Sequence, residues 1–163
     1  MSTVRVRNIT PTSFEAQIDE WDYRDGGHAV ETVTVAVMEA GVFEMGGVLW
    51  GAGSGAGATD SPSAESFADP FASNPVVLGQ IVTTKEPEAL AHRFTSIDGD
   101  GFSVQVDEEK ANDGVHGPET VHYFAVEQGQ GSFTTIGGMN FTVASTGNVV
   151  SNTNEVINFG ANY

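Results

Sequence analysis

The chain repeats itself, so its fold must be built from the repeated unit. Phe14-Glu-Ala-Gln-Ile-Asp-Glu lies over Phe102-Ser-Val-Gln-Val-Asp-Glu at an offset of 88 residues. The register continues without a gap to Gly41 and Gly129, and 12 of those 28 positions are identical: Phe14, Gln17, Asp19, Glu20, Asp25, Gly26, His28, Glu31, Thr32, Val33, Glu39 and Gly41. Average residue frequencies would supply about two by chance. Beyond Gly41 the second copy gains a few residues, so that Gly46-Gly47 faces Gly137-Gly138, Trp50 faces Phe141, and Phe67 and Phe71 face Phe159 and Tyr163. The unit is about 90 residues long, and 163 residues hold fewer than two of them. The sequence starts and stops part-way through a unit, as expected of an excerpt of a longer array or of half-units that complete one another.

Within each copy the apolar residues alternate. Val4/Val6, Phe14/Ala16/Ile18, Val33/Val35/Val37, Phe102/Val104/Val106 and Val121/Tyr123/Ala125 have largely polar neighbours between them, the pattern of strands with one buried face. No helical stripe of comparable length competes. Turn clusters at Thr10-Pro-Thr-Ser, Arg24-Asp-Gly-Gly, Asp98-Gly-Asp-Gly, Asn112-Asp-Gly and Gly129-Gln-Gly-Gln-Gly separate the strands. An all-β antiparallel β-sandwich built from tandem repeats follows. Residues 1–50 read as the second part of a first repeat, and 67–138 as the most complete unit. Residues 139–163 read as the start of a third repeat or as complementing strands. Between the first two, the Gly/Ala/Ser-rich stretch 51–66 reads as a connection, or as an ordered crossing if it matches its β-richer counterpart at 142–154.

Charge narrows the partners. Six Lys and Arg against 22 Asp and Glu give a net charge of -16, which repels phosphate backbones and anionic membranes. Nucleic-acid binding is excluded on this ground, and the acid excess fits a saline setting. Cysteine is absent, which removes disulfides, thiolate metal sites and cysteine nucleophiles. No run of apolar residues long enough to span a bilayer occurs, and the first residues lack the apolar core of a signal peptide, so membrane insertion is not expected.

Phe67-Ala-Asp-Pro-Phe-Ala-Ser-Asn-Pro-Val-Val-Leu-Gly-Gln-Ile, Arg93-Phe-Thr-Ser-Ile, Gly101-Phe-Ser-Val-Gln-Val and Val121-His-Tyr-Phe-Ala-Val-Glu together resemble the H-type lectin domain. The pattern covers residues 67–127, and its second half occurs again over 4–39. The resemblance implies a six-stranded antiparallel sandwich that binds sugars at strand-end loops, often within a trimer. It also implies that a Trp and the next polar residue after the Gly-Phe strand help form the sugar site. In the first copy these match Trp21-Asp22; in the second they match Glu109-Lys110, without the aromatic.

Read from the residues themselves, the cluster Asp19-Glu20-Trp21-Asp22-Tyr23-Arg24 points to the same chemistry. Alternation turns Ile18 inward and Trp21 outward; an exposed indole stacks on the C–H face of a sugar while Asp22, Tyr23 and Arg24 bond its hydroxyls. Packing of Trp21 against a neighbouring repeat or subunit is the alternative. Asp25, His28 and Glu31 recur as Asp113, His116 and Glu119. Asp-Gly-x-His makes a good turn, and a His with two carboxylates could also hold a transition-metal ion. The recurring acids read as an acidic rim on the turn loops. Asp98-Gly-Asp100-Gly has the start of a calcium loop without its later Glu, so a β-turn is expected there.

No nucleophile elbow, P-loop or His-Glu-x-x-His occurs, so an enzyme is not expected. The expected function is a non-catalytic carbohydrate-recognition module of an extracellular, cell-surface or virion protein, with a glycan or polysaccharide as partner and no cofactor beyond a metal ion. The alternative is a structural tandem-repeat protein of a fibre, surface layer or virion that self-associates through complementary half-units.

Overall fold

The computed structural model describes residues 2–21, 27–108, 115–133, 138–146, 153–154 and 156–158. The fold is all-β, with eleven strands among the described residues: β1 (Ser2–Arg7), β2 (Glu15–Glu20), β3 (Gly41–Met45), β4 (Val48–Ala58), β5 (Ser63–Ser66), β6 (Val76–Ile81), β7 (Leu90–Thr95), β8 (Gly101–Glu108), β9 (Glu119–Val126), β10 (Gly129–Phe133) and β11 (Met139–Val143). Every pairing is antiparallel. The central sheet has the order β3-β4-β9-β6, a second sheet the order β5-β8-β7, and β1-β2 and β10-β11 are separate hairpins. Among the described residues no helix is long and apolar enough to cross a membrane.

The alternating residues are what the two larger sheets share. Phe102, Val104 and Val106 of β8 meet Val121, Tyr123 and Ala125 of β9, joined by Phe67, Phe71, Val77, Ile81 and Leu90, in one buried cluster. Phe67, Phe102 and Tyr123 pack ring on ring, with centroids 4.9 to 5.9 Å apart. Asp98 forms the expected turn, its carboxylate accepting from the backbone N–H groups of Asp100 and Gly101 at 2.9 and 3.0 Å.

The stretch 51–66, read above as a connection, holds most of β4 and all of β5. Its glycines alternate: Gly51, Gly53 and Gly55 turn one face of β4 toward Phe71, Tyr123 and Glu65. A Cβ on Gly53 would stand 2.5 Å from the Tyr123 hydroxyl, and one on Gly55 would stand 2.8 Å from the Glu65 carboxyl carbon. The small residues are thus the inner face of a strand covered by large side chains from elsewhere. β4 enters this position from the Gly46-Gly47 turn, whose φ values of 65° and 79° suit a tight hairpin between twisted strands.

The spacing of the sequence recurs in the strand registers. Val4 opposes Ile18 across β1-β2, as His92 opposes Val106 across β7-β8, 88 residues on. Likewise Phe43 opposes Trp50 across β3-β4, and Gly131 opposes Phe141 across β10-β11. One expected strand departs from this pattern. Residues 33–37 alternate as well as 121–125 do, yet they lie in no strand, and Val33, Val35 and Val37 are exposed. Their counterpart β9 has β4 on one side and β6 on the other. A strand needs neighbours for its N–H and C=O groups, and among the described residues no strand flanks 33–37.

Candidate functional site

The site grows from the start of β9. Glu119 follows Pro118 at the point where the strand enters the core, and its side chain is fully buried. A buried carboxylate must be supplied with donors, and Glu119 has four. Oε1 accepts from the Lys85 backbone N–H at 2.8 Å and faces His116 Nε2 at 3.1 Å and Arg5 Nη2 at 3.4 Å. Oε2 accepts from the Thr83 hydroxyl. Thr83 is itself fixed by the Thr120 N–H, which donates to its oxygen at 2.8 Å. Burial pushes the Glu119 carboxyl up, but these donors and the Arg5 charge outweigh it and hold it below its ordinary value.

His116 sits among acids. Its Nδ1 is 2.8 Å from Glu108 Oε1 and 3.1 Å from Glu86 Oε2, and its Nε2 faces Glu119. Burial alone pulls the imidazole down. Hydrogen bonds to Glu119 and Glu108 and the charge of Glu86 outweigh that and hold it above its ordinary value, with a carboxylate oxygen facing each ring nitrogen.

Arg5 reaches this cluster from a separate sheet. It projects from β1, is 2% exposed, and donates from Nη1 to the Glu88 carbonyl at 2.6 Å and to Asp19 at 3.4 Å. From Nη2 it reaches the Thr83 carbonyl at 3.3 Å as well as Glu119. Its planar fork reaches four acceptors at once, one more than the three N–H groups of a Lys could serve. Beside it, Gln80 of β6 donates to the Val4 carbonyl at 2.8 Å, so the β1-β2 hairpin is tied to the central sheet at two adjacent residues of β1.

The cluster is therefore an ionic lock between the first hairpin and the larger body. It can also present ligands to a metal ion: among the described residues Glu86, Glu88 and His116 bring carboxylate and imidazole atoms within 4.8 Å of one another. A metal there would have to displace the Nδ1 proton of His116. Glu86 and Glu88 were not among the candidate ligands in the sequence; His116 and Glu119 were.

The other candidates fare unevenly. Trp21, expected outward, is half-buried, and its indole N–H is shut off from solvent with no hydrogen-bond acceptor among the described residues. It follows β2 directly, and its Nε1 points away from water and not toward it. Asp22, Tyr23, Arg24, Asp25 and Asp113 lie outside the described residues. His28 and Glu31 are exposed, with His28 Nδ1 3.8 Å from Glu31 and Nε2 4.0 Å from Glu20. They are the same residues as His116, Glu119 and Glu108 in a looser arrangement. The expected acidic rim is corrected in part: Glu119 and the Glu108 carboxylate are interior, because strand β9 and the segment 83–88 close over them. Arg5 lies ahead of Phe14, where the gapless identity between the two copies begins. Arg93 stands 88 residues after it and pairs with Asp107 at 3.2 Å, as Arg5 pairs with Asp19.

No family model matches the sequence, and no solved structure matches it. The chain is similar to halomucin of Haloquadratum walsbyi, with 30% identity over 164 residues, an alignment that covers 98% of this chain and 2% of halomucin's length.

Proposed function

We propose that this chain is a structural repeat segment of an extracellular or cell-surface protein, in which each repeat is completed by strands of its neighbour. The observation that carries the reading is the place of β4. By sequence it continues the first copy, and by pairing it lies against β9 of the second, from Trp50 opposite Val126 to Ala58 opposite Glu119. The Arg5 lock joins the same two copies. The shared core of the central and β5-β8-β7 sheets supports an antiparallel sandwich of H-type-lectin-like form as the repeat's architecture. The likeness to halomucin supports a location at a surface or outside the cell, and the charge of -16 suits a saline medium.

Carbohydrate recognition around Trp21 is the second reading and rests on the lectin resemblance. The half-burial of Trp21 gives it less support, since a stacking platform needs an open ring.

Residue 129 is the counterpart of residue 41, so a further copy of residues 41–128 can be inserted after Gln128 without breaking phase. Hydrogen exchange on that lengthened chain tests the repeat reading. The β9 strands of both copies should be equally protected, because each has a β4 strand before it. Fast exchange of one of them, at the rate of residues 33–38, would contradict it.

A further inference from the structure

Beside the β1-β2 hairpin lies an open groove of about 330 Å³, lined among others by Ala16, Ile18, His28, Glu31 and Val33. Their counterparts 88 residues on are Val104, Val106, His116, Glu119 and Val121, each no more than 3% exposed. The same residues that form the floor of a filled core in one copy thus form the floor of an empty groove in the other. Val33 of this lining and the alternating Val35 and Val37 that follow it are 41%, 54% and 82% exposed. In the second copy the strand that covers this edge is β4, and the counterpart of β4 is β11 with the residues that follow it.

We infer that residues 33–38 of one copy of this chain pair as an antiparallel strand with residues 141–146 of a second copy, with Arg93 of the second copy meeting Glu31 of the first. The inference rests on the repeat reading and gives it a partner and a register.

The register is fixed by β4-β9. Gly53 opposes Tyr123 and Ala52 opposes Phe124 there, which places Ala144 opposite Val35 and Val143 opposite Ala36 in the new pair. Side-chain size is exchanged across both pairs. Where Tyr123 has shrunk to Val35, Gly53 has grown to Ala144; where Phe124 has shrunk to Ala36, Ala52 has grown to Val143. Compensation of this kind is what a packed interface requires. Ala144, Ser145 and Thr146 are exposed, with the Ser145 N–H donating to the Gln128 side chain at 3.3 Å, and residues 33–37 are exposed as well.

The charge lock points the same way. Arg5 of the first copy closes on Glu119 of the second, so Arg93 is the residue that would close on the next Glu in line. Arg93 is 64% exposed and Glu31 is 57% exposed. Both keep the partners needed to finish the lock: Asp107 beside Arg93, and His28 beside Glu31. Strand addition at an exposed edge supplies backbone hydrogen bonds in the same step.

The chain has no cysteine, so single cysteines can be placed cleanly. Chains carrying Val35→Cys are mixed with chains carrying Ala144→Cys, oxidised, and examined by non-reducing electrophoresis, with circular dichroism showing that each still folds. The expected result is a heterodimer that forms at least ten times faster than with Ala36→Cys in place of Val35→Cys, because residue 36 faces the other side of the strand. In sedimentation, Arg93→Glu should weaken self-association about tenfold, and the double variant Arg93→Glu/Glu31→Arg should restore it. Cross-linking that ignores register, or a monomer at every concentration in high salt, would overturn the pairing. If the lengthened chain protects both β9 strands while cross-linking ignores register, the pairing fails and the repeat reading stands. If those strands are not both protected, the repeat reading itself fails.

Discussion

Arg5 and Glu119 lie 114 residues apart in the chain and 3.4 Å apart in space, and both side chains are closed to solvent. The contact joins a hairpin of the first copy to the central sheet of the second. Because neither charge can turn to water, the lock is sensitive to the loss of either member.

Replacing Arg5 by Met should therefore destabilise the fold by about 3–5 kcal/mol, since Glu119 would keep its burial and lose a cation. The double change Arg5→Met/Glu119→Gln should recover part of that loss, because it removes the stranded charge. Urea unfolding followed by circular dichroism reads both. Equal losses in the single and double variants would show that Arg5 acts through packing alone.

Stability should also follow pH on two sides. The His116 imidazolium is held above its ordinary 6.5, so its contribution is complete below 6.5 and fades as pH rises through the folded value. The Glu119 carboxyl is held below its ordinary 4.5, so its contribution is complete above 4.5 and fades as pH falls through the folded value. Melting temperature should be highest between these two limits, and His116→Gln should flatten the alkaline side while Thr83, Lys85 and Arg5 keep most of the acid side. Thermal scans in chelator-treated protein from acid to alkaline pH measure this; an unchanged alkaline side in His116→Gln would contradict it.

Gly53 and Tyr123 make a third test. A Cβ at residue 53 would lie 2.5 Å from the Tyr123 hydroxyl and 2.7 Å from its ring carbon, so Gly53→Ala should cost about 1–3 kcal/mol. The double change Gly53→Ala/Tyr123→Val copies the pair Ala144 and Val35, and should relieve the clash while losing some buried area. Denaturation midpoints of the three variants give the coupling. Strict additivity would mean that the two positions do not pack against one another.

Much of the fold was legible because strands leave a period of two. Val104/Val106 and Val121/Tyr123 announce β8 and β9, and the repeat finds their relatives. Gly51, Gly53 and Gly55 also alternate, but glycine carries no apolar signal, so β4 looks like a linker until Tyr123 and Glu65 are seen lying over it. Val33, Val35 and Val37 mislead in the opposite sense: their pattern is that of a strand, and the neighbours that would make it one are missing among the described residues. At the site, His116 and Glu119 stood out by recurrence. Arg5 comes from β1, and Thr83 and Glu86 from the segment 83–88, and only the folded sheets bring them to Glu119 and His116.

If neighbouring repeats complete and stabilise one another, thermal unfolding of chains carrying one, two or three copies of residues 41–128 between the existing ends will show it. Interlocked repeats should give a single transition whose midpoint rises with each added copy, since every copy adds a β4-β9 pairing and an Arg–Glu lock. A midpoint that stays constant as copies are added would contradict it.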